Sequence, residues 1–252
     1  MNLLQRVRGL LRNTYRELAR DHVTLGSTVL PARHLRFCGD QFKSDEYFLA
    51  SANAEAQRLV QECGLPKGGR VLDLGCGVGR LPIGILASGV DVGAYRGVDV
   101  DSRSIRWCKQ HIESFHPRFH FIHTNVRNAR YNPNGLPVNV SFHLPFGDHD
   151  FDAIYLYSVF SHMLPDDVRV YCREFRRVLA PEGVVFLTAF VEDDVPDVTE
   201  NPVDYKMKGN GVLHCVRYKS LFLTELFAQA ELGVAKFVHG METDGQSALY
   251  LR

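Results

Sequence analysis

From Lys67 onward, short apolar runs alternate with helical stretches, and this alternation constrains the fold more than any other feature of the chain. Strands joined through crossover helices must run parallel, and a parallel sheet needs helices on both faces. The periodicity predicts strands at 70–74, 94–99, 119–123, 152–157, 183–190, 234–239 and 247–251, and helices at 79–88, 102–114, 166–179 and 220–231. DAIYLY (152–157) and VVFLTAF (184–190) are nearly continuous apolar runs, as strands buried on both faces should be. Helical periodicity also covers 1–21 and 44–63, the second capped from Ser44 or its neighbours. The expected class is α/β, with residues 1–66 as an N-terminal helical cap on a ligand-binding domain at 67–252. Between the two early helices, LPARHLRFCGDQF reads as an ordered loop that covers something. Segments 124–150 and 191–219 resist assignment; long irregular insertions at strand ends often form lids or substrate loops.

Composition narrows the function classes. Lys plus Arg equals Asp plus Glu at 29 each, so no global field favours nucleic acid or an anionic membrane. The six cysteines (38, 63, 76, 108, 172 and 215) form no CxxC pair, which fits a reduced compartment better than a disulfide framework. No apolar run approaches the roughly 20 residues that span a bilayer, and the basic, amphipathic start lacks the apolar core of a signal peptide. The expected location is the cytoplasm. His116, His120 and His123 straddle a helix end and a strand without a supporting carboxylate pattern, so no metal site is expected.

The first strand runs into VLDLGCGVGR (71–80), a carboxylate and three glycines directly after an apolar run. Ligands of open parallel sheets settle beyond the carboxyl ends of the strands, where strand order reverses. The glycines Gly75, Gly77 and Gly79 let backbone approach such a ligand, and the second strand delivers Asp99 beside them, where an acid commonly holds the hydroxyls of a ribose. A dinucleotide fingerprint would need a small residue where Arg80 stands, and Asp73 would repel a pyrophosphate. A ligand that combines a ribose with positive charge suits these acids better.

These motifs resemble those of the class I S-adenosylmethionine-dependent methyltransferases, of the small-molecule, type 11/25-like kind. VLDLGCGVGR matches their glycine motif, GVDVD their acid-ended second strand, and LPFGDHDFDAIYLYSVFSHM with FRRVLAPEGVVFLTAF their later signature. The resemblance implies a Rossmann-like, doubly wound sheet of seven strands, mostly parallel with an antiparallel last strand. It implies S-adenosylmethionine as cofactor and S-adenosylhomocysteine as product. By position, Asp73, Gly75, Cys76, Gly77 and Arg80 would face the methionyl end, with Tyr157 and Ser158 flanking it. Asp99 would bind the ribose, Val100 would pack the adenine, and Asn125 with Val126 would meet its far edge. His162, just after the fourth strand, is the candidate base for the acceptor's proton. A small-molecule acceptor is expected. RNA or protein methylation, or a non-catalytic cofactor-binding module, are the alternatives.

Overall fold

The computed structural model describes residues 21–37, 39–205 and 211–252. The helix expected over 1–21 therefore lies outside the described residues. The first elements are a hairpin of β1 (His22–Leu25) and β2 (Thr28–Pro31), turning at Gly26 and Ser27. Asp21 tethers it to the body: its carboxylate meets His22 Nδ1 and His111 Nε2, both at 2.9 Å, and Trp107 Nε1 donates to its carbonyl at 2.7 Å.

Helix α1 (Asp45–Gln61) starts at Ser44, whose hydroxyl accepts from Tyr47 N, and the acids Asp45 and Glu46 in its first turn suit the helix dipole. The alternating core follows: β3 (Gly69–Leu74), α2 (Arg80–Ser88), β4 (Val92–Asp99), α3 (Ser102–Cys108), β5 (Phe119–His123), β6 (Phe151–Leu156), α4 (Pro165–Val178) and β7 (Leu179–Glu192). The long helix predicted at 102–114 is divided; α3 passes into a wider, π-type turn over Lys109–Glu113. Beyond lie β8 (Val198–Glu200), β9 (Val216–Lys219), α5 (Ser220–Ala228), β10 (Val234–Val238) and β11 (Ser247–Leu251).

The main sheet has the order β10-β11-β7-β6-β3-β4-β5, with β11 antiparallel to both of its neighbours and the other adjacent pairs parallel. The doubly wound sheet and its antiparallel last strand are as expected. The strand count is corrected from seven to nine, because β8 and β9 come from the unassigned segment 191–219. β9 pairs with the end of β7 and β8 pairs with β9, which prolongs the sheet above its carboxyl edge.

Adjacent residues along each strand serve opposite cores. Leu72, Ile154 and Leu187 pack under α4 and α5 with Tyr171, Phe175 and Phe227, whereas Val71, Tyr155 and Phe186 pack under α1 and α2 with Phe48, Leu59 and Ile83. Helices α1 and α2 approach so closely that a Cβ on Gly84 would stand 1.9 Å from the Ala52 carbonyl oxygen. This contact holds α1 against α2, and Phe48 and Glu55 of α1 line the cavity described below.

Candidate functional site

The chain reverses direction across the sheet after β5, returning to β6 on the other side of β3, and a cavity of about 590 Å³ opens there beyond the strand ends. That volume falls in the range of ligand sites. The turn after β3 forms one wall. Gly75, Gly77 and Gly79 all have positive φ (76°, 50° and 79°), so the chain coils tightly enough for Gly75 N and Cys76 N to donate to the Val98 carbonyl at 2.7 and 3.2 Å. A Cβ on Gly75 would lie 2.5 Å from Val159 Cγ2, so this position tolerates no side chain.

Asp99 sits at the end of β4 beside this turn. One of its oxygens accepts from Gly77 N and the other from Asp101 N, both at 2.8 Å, which orients the carboxylate toward the cavity mouth of the second strand. Burial pushes its pKa up, against the backbone donors that favour the charge. Asp73 is buried beneath the turn and accepts from the Tyr95 hydroxyl. Its pKa is pushed up to about 7, first by burial, then by the nearby acids Glu55 and Asp99. Glu55, from α1, is raised in the same direction by its own burial. Its carboxylate meets Arg80 at 2.7 Å, and the Arg80 guanidinium lies between the rings of Phe42 and Tyr157 at 4.5 and 4.6 Å. Two buried acids thus line one cavity, Glu55 paired with Arg80 and Asp73 held by Tyr95, and their carboxylates favour a second, incoming positive charge.

The floor is a hydrogen-bonded chain. Ser158, held at φ 59°, donates its amide to Thr188 Oγ1; Thr188 donates to Gln246 Oε1; and the Gln246 amide donates back to Ser158 Oγ. The Tyr157 hydroxyl is anchored by Thr243 Oγ1 at 2.8 Å and Glu242 at 3.1 Å.

The outer chamber is aromatic. His162 follows β6 in a short 3-10 turn, and its Nδ1–H donates to the Leu213 carbonyl at 2.8 Å, which leaves Nε2 as the unprotonated nitrogen. Burial lowers its pKa to about 4, so the ring is neutral at physiological pH; the near-neutral titration expected of this residue is not kept. Tyr131 meets His162 edge-on, with ring centroids 5.4 Å apart. Tyr131 is carried by a tight loop in which Asn128 accepts from Arg130 N and Tyr131 N, while its own amide donates to the His162 carbonyl. Opposite stands Phe37, on a loop organised by Arg36. The Arg36 side chain is completely buried; it donates to the carbonyls of Pro31, Phe42, Lys43 and Ser44, and reaches Asp45 at 2.7 Å.

Of the residues expected from the sequence, Asp73, Gly75, Cys76, Gly77, Arg80, Asp99, Val100, Val126, Tyr157, Ser158 and His162 all line this cavity. Asn125 does not: it is exposed beside the opening, and its side-chain oxygen accepts from Asn132 at 3.2 Å. Glu55, Phe37, Tyr131 and Gln246 line the cavity and were not foreseen. Glu55 had a readable signal, an acid in the apolar stripe Phe48-Ala52-Ala56-Leu59 of its helix.

Residues 72–187, which contain the glycine turn, Asp99, Ser158 and His162, match the family model described as a methyltransferase domain. This stretch is a methyltransferase domain. The cofactor of this class of methyltransferase is S-adenosylmethionine. Solved structures with the same fold include the 4+2 cyclase SpnF (16% identity, 81% of each chain, TM-score 0.57). Another is the Burkholderia thailandensis 1,6-didemethyltoxoflavin N1-methyltransferase, bound to 1,6-didemethyltoxoflavin and S-adenosylhomocysteine (19% identity, 82% of this chain and 79% of that one, TM-score 0.53). A third is a methyltransferase from Haloferax volcanii in complex with the Trm112 activator (16% identity, 82% and 92%, TM-score 0.56). Among the described residues of this methyltransferase, no helix is long and apolar enough to cross a membrane.

Proposed function

We propose that this methyltransferase transfers the methyl group of S-adenosylmethionine to a small-molecule acceptor in the cytoplasm. One observation carries the reading: a single cavity is lined by Asp99, by the glycine turn, by the acids Asp73 and Glu55, and by the aromatic side chains of Phe37, Tyr131 and His162. The donor set fits the cofactor. Asp99 would accept from the ribose hydroxyls, Val100 and Val126 would flank the adenine, and Asp73 with Glu55 would receive the ammonium. Bound there, the cofactor supplies an electrophilic methyl on a sulfonium.

The chain's own work is alignment and exclusion of water. Arg80, clamped between two rings, keeps the acids in place. The Ser158–Thr188–Gln246 chain holds the floor rigid beneath the reacting centre. His162 Nε2 would accept a hydrogen bond from the acceptor and orient its nucleophilic atom. With its pKa lowered to about 4 by burial, the imidazole serves as an orienting acceptor and not as a strong base.

A small acceptor is favoured over RNA or protein by where the arginines stand. Of Arg33, Arg36, Arg127 and Arg130, which together would mark a nucleic-acid or protein site, the first two pair with Asp45 and the last two line the cavity itself. The relative that binds 1,6-didemethyltoxoflavin beside its cofactor product is further support. The test is calorimetric titration with S-adenosylmethionine, S-adenosylhomocysteine and NADH. Micromolar affinity for the first two without NADH is expected; binding of neither would remove the cofactor from this cavity.

A further inference from the structure

Away from the cavity, the described residues bring one further group of ligand-bearing side chains together. Asp21 and His22, at the foot of the β1–β2 hairpin, meet His111 in the π-type turn after α3, and none of the three lines the cavity. One ligand atom from each lies within 4.8 Å of those from the other two. Both imidazoles turn a nitrogen on the same carboxylate, His22 Nδ1 and His111 Nε2, each at 2.9 Å. Small rotations of the half-exposed Asp21 and His22 side chains would open these contacts to about 3.3–3.4 Å, the edge of a tetrahedron with metal–ligand bonds of about 2.0–2.1 Å. Trp107 supports two of the three residues from behind. Its ring stacks on His111 at 4.7 Å, and its Nε1–H donates to the Asp21 carbonyl at 2.7 Å, which also accepts from Ala32 N at 3.0 Å. A π-type turn widens a helix and is frequent at functional sites; here it presents His111, whose side chain is only 12% exposed.

We propose that Asp21, His22 and His111 form a zinc site that ties the hairpin to the core of the domain. Two imidazoles and a carboxylate are a donor set that suits zinc, whereas magnesium and calcium take oxygen ligands. The metal replaces the two hydrogen bonds: each neutral ring carries its proton on the outer nitrogen, Nε2 of His22 and Nδ1 of His111, and the inner nitrogens ligate with one Asp21 oxygen. Water completes the tetrahedron. The role is structural. On the hairpin side, Ala32 is held to Asp21, and the Pro31 carbonyl accepts from Arg36 Nε at 2.9 Å, next to Phe37 of the cavity wall. On the core side, Ile112 adjoins His111 and lies against the glycine turn, where a Cβ on Gly79 would stand 2.9 Å from its Cδ1. Asp21 and His111 are 90 positions apart, so the metal closes a long loop, where a clip stabilises most. The site is independent of what the cavity binds.

The experiment titrates the whole chain, stripped of metal by a chelator, with zinc chloride in a calorimeter, and with magnesium and calcium chloride for comparison. One equivalent of zinc at micromolar or tighter affinity is expected, about 100-fold tighter than either alkaline-earth ion, together with a higher melting temperature in zinc. His22→Ala, which changes a half-exposed side chain, and His111→Gln should each weaken zinc binding by about 10-fold or more. Circular dichroism and melting of the metal-free variants confirm that they fold. Cobalt in place of zinc should give the visible bands of a tetrahedral nitrogen–oxygen site in the original chain and in neither variant. Absence of saturable zinc binding, equal affinity for calcium or magnesium, or binding that persists in both histidine variants would overturn the site. So would sulfur-to-cobalt charge transfer, which would assign the metal to cysteines.

Discussion

Replacing Gly75 by Ala tests whether the tight turn after β3 depends on its missing side chain, and its cost can be separated into two parts. The backbone sits at φ 76°, where an L-residue is disfavoured by about 1–2 kcal/mol. The added Cβ also lands 2.5 Å from Cγ2 of Val159, far inside the 3.5–4.0 Å optimum for carbon pairs. Valine is stiff at χ1 and cannot swing aside, so the overpacking adds about 1–3 kcal/mol. The expected total is about 2–5 kcal/mol. Val159→Ala removes the offending methyl and should itself cost about 1 kcal/mol for two partly buried methyl groups. In that background only the φ penalty remains, so Gly75→Ala should cost about 1–2 kcal/mol. Urea unfolding of the four proteins gives the coupling energy, predicted at about 1–3 kcal/mol. Equal losses in both backgrounds would refute the steric argument. A loss below 0.5 kcal/mol in the first would refute the strained turn as well.

Four further outcomes are expected. Asp99→Asn gives up the charge of an acceptor poised for hydroxyls, and should weaken S-adenosylmethionine binding by about 10- to 100-fold, from roughly 1.5–3 kcal/mol for a charged hydrogen bond; unchanged affinity by calorimetry would sink the ribose assignment. Asp73 has a folded pKa raised to about 7, so its contribution to stability is present below the unfolded value near 3.9 and is lost as pH rises through 7. The melting temperature of Asp73→Asn relative to the unsubstituted protein should therefore climb between pH 4 and 7.5, and a flat difference would show that the acid is not perturbed. His162, with a pKa near 4, stays neutral down to about pH 5, so turnover should show no acid limb near 6.5, and His162→Ala should lower kcat by about 10-fold or more while leaving cofactor affinity unchanged. An acid limb at 6.5 would mean the imidazole is more exposed than described. Arg36→Met leaves four loop carbonyls without their donor while Asp45 keeps Arg33, and unfolding should become easier by about 1–3 kcal/mol in a denaturant titration.

The parts of the molecule that were legible in the sequence are those whose chemistry is local. VLDLGCGVGR states a strand, a turn and a helix start within ten residues, and the continuous apolar runs at 152–157 and 184–190 state burial on two faces. The glycine turn, Asp99 and His162 follow from their places at strand ends. What escaped depends on partners distant in sequence. Glu55 faces Arg80, 25 positions on, and Gln246 reaches Ser158, 88 positions back; neither pairing leaves a mark in its own segment. The β1–β2 hairpin was left unassigned, because two strands of four residues each are too short for alternation to register. Strands β8 and β9 are too short, at three and four residues, for alternation to register. Asn125 stands outside the cavity lining because a family position fixes the strand end but not the loop beyond it, and its side chain pairs with Asn132.

The order of the sheet also has a consequence for how the chain is made. β11 lies between β7 and β10 and follows both in sequence, so the two wait for a partner that the ribosome has not yet delivered. Gln246, which closes the floor beneath Ser158, and Glu242 and Thr243, which anchor Tyr157, arrive with that same strand. A nascent chain can thus complete the glycine turn early, yet it holds an open-bottomed cavity until β11 slides between β7 and β10. Ligand competence therefore waits on β11.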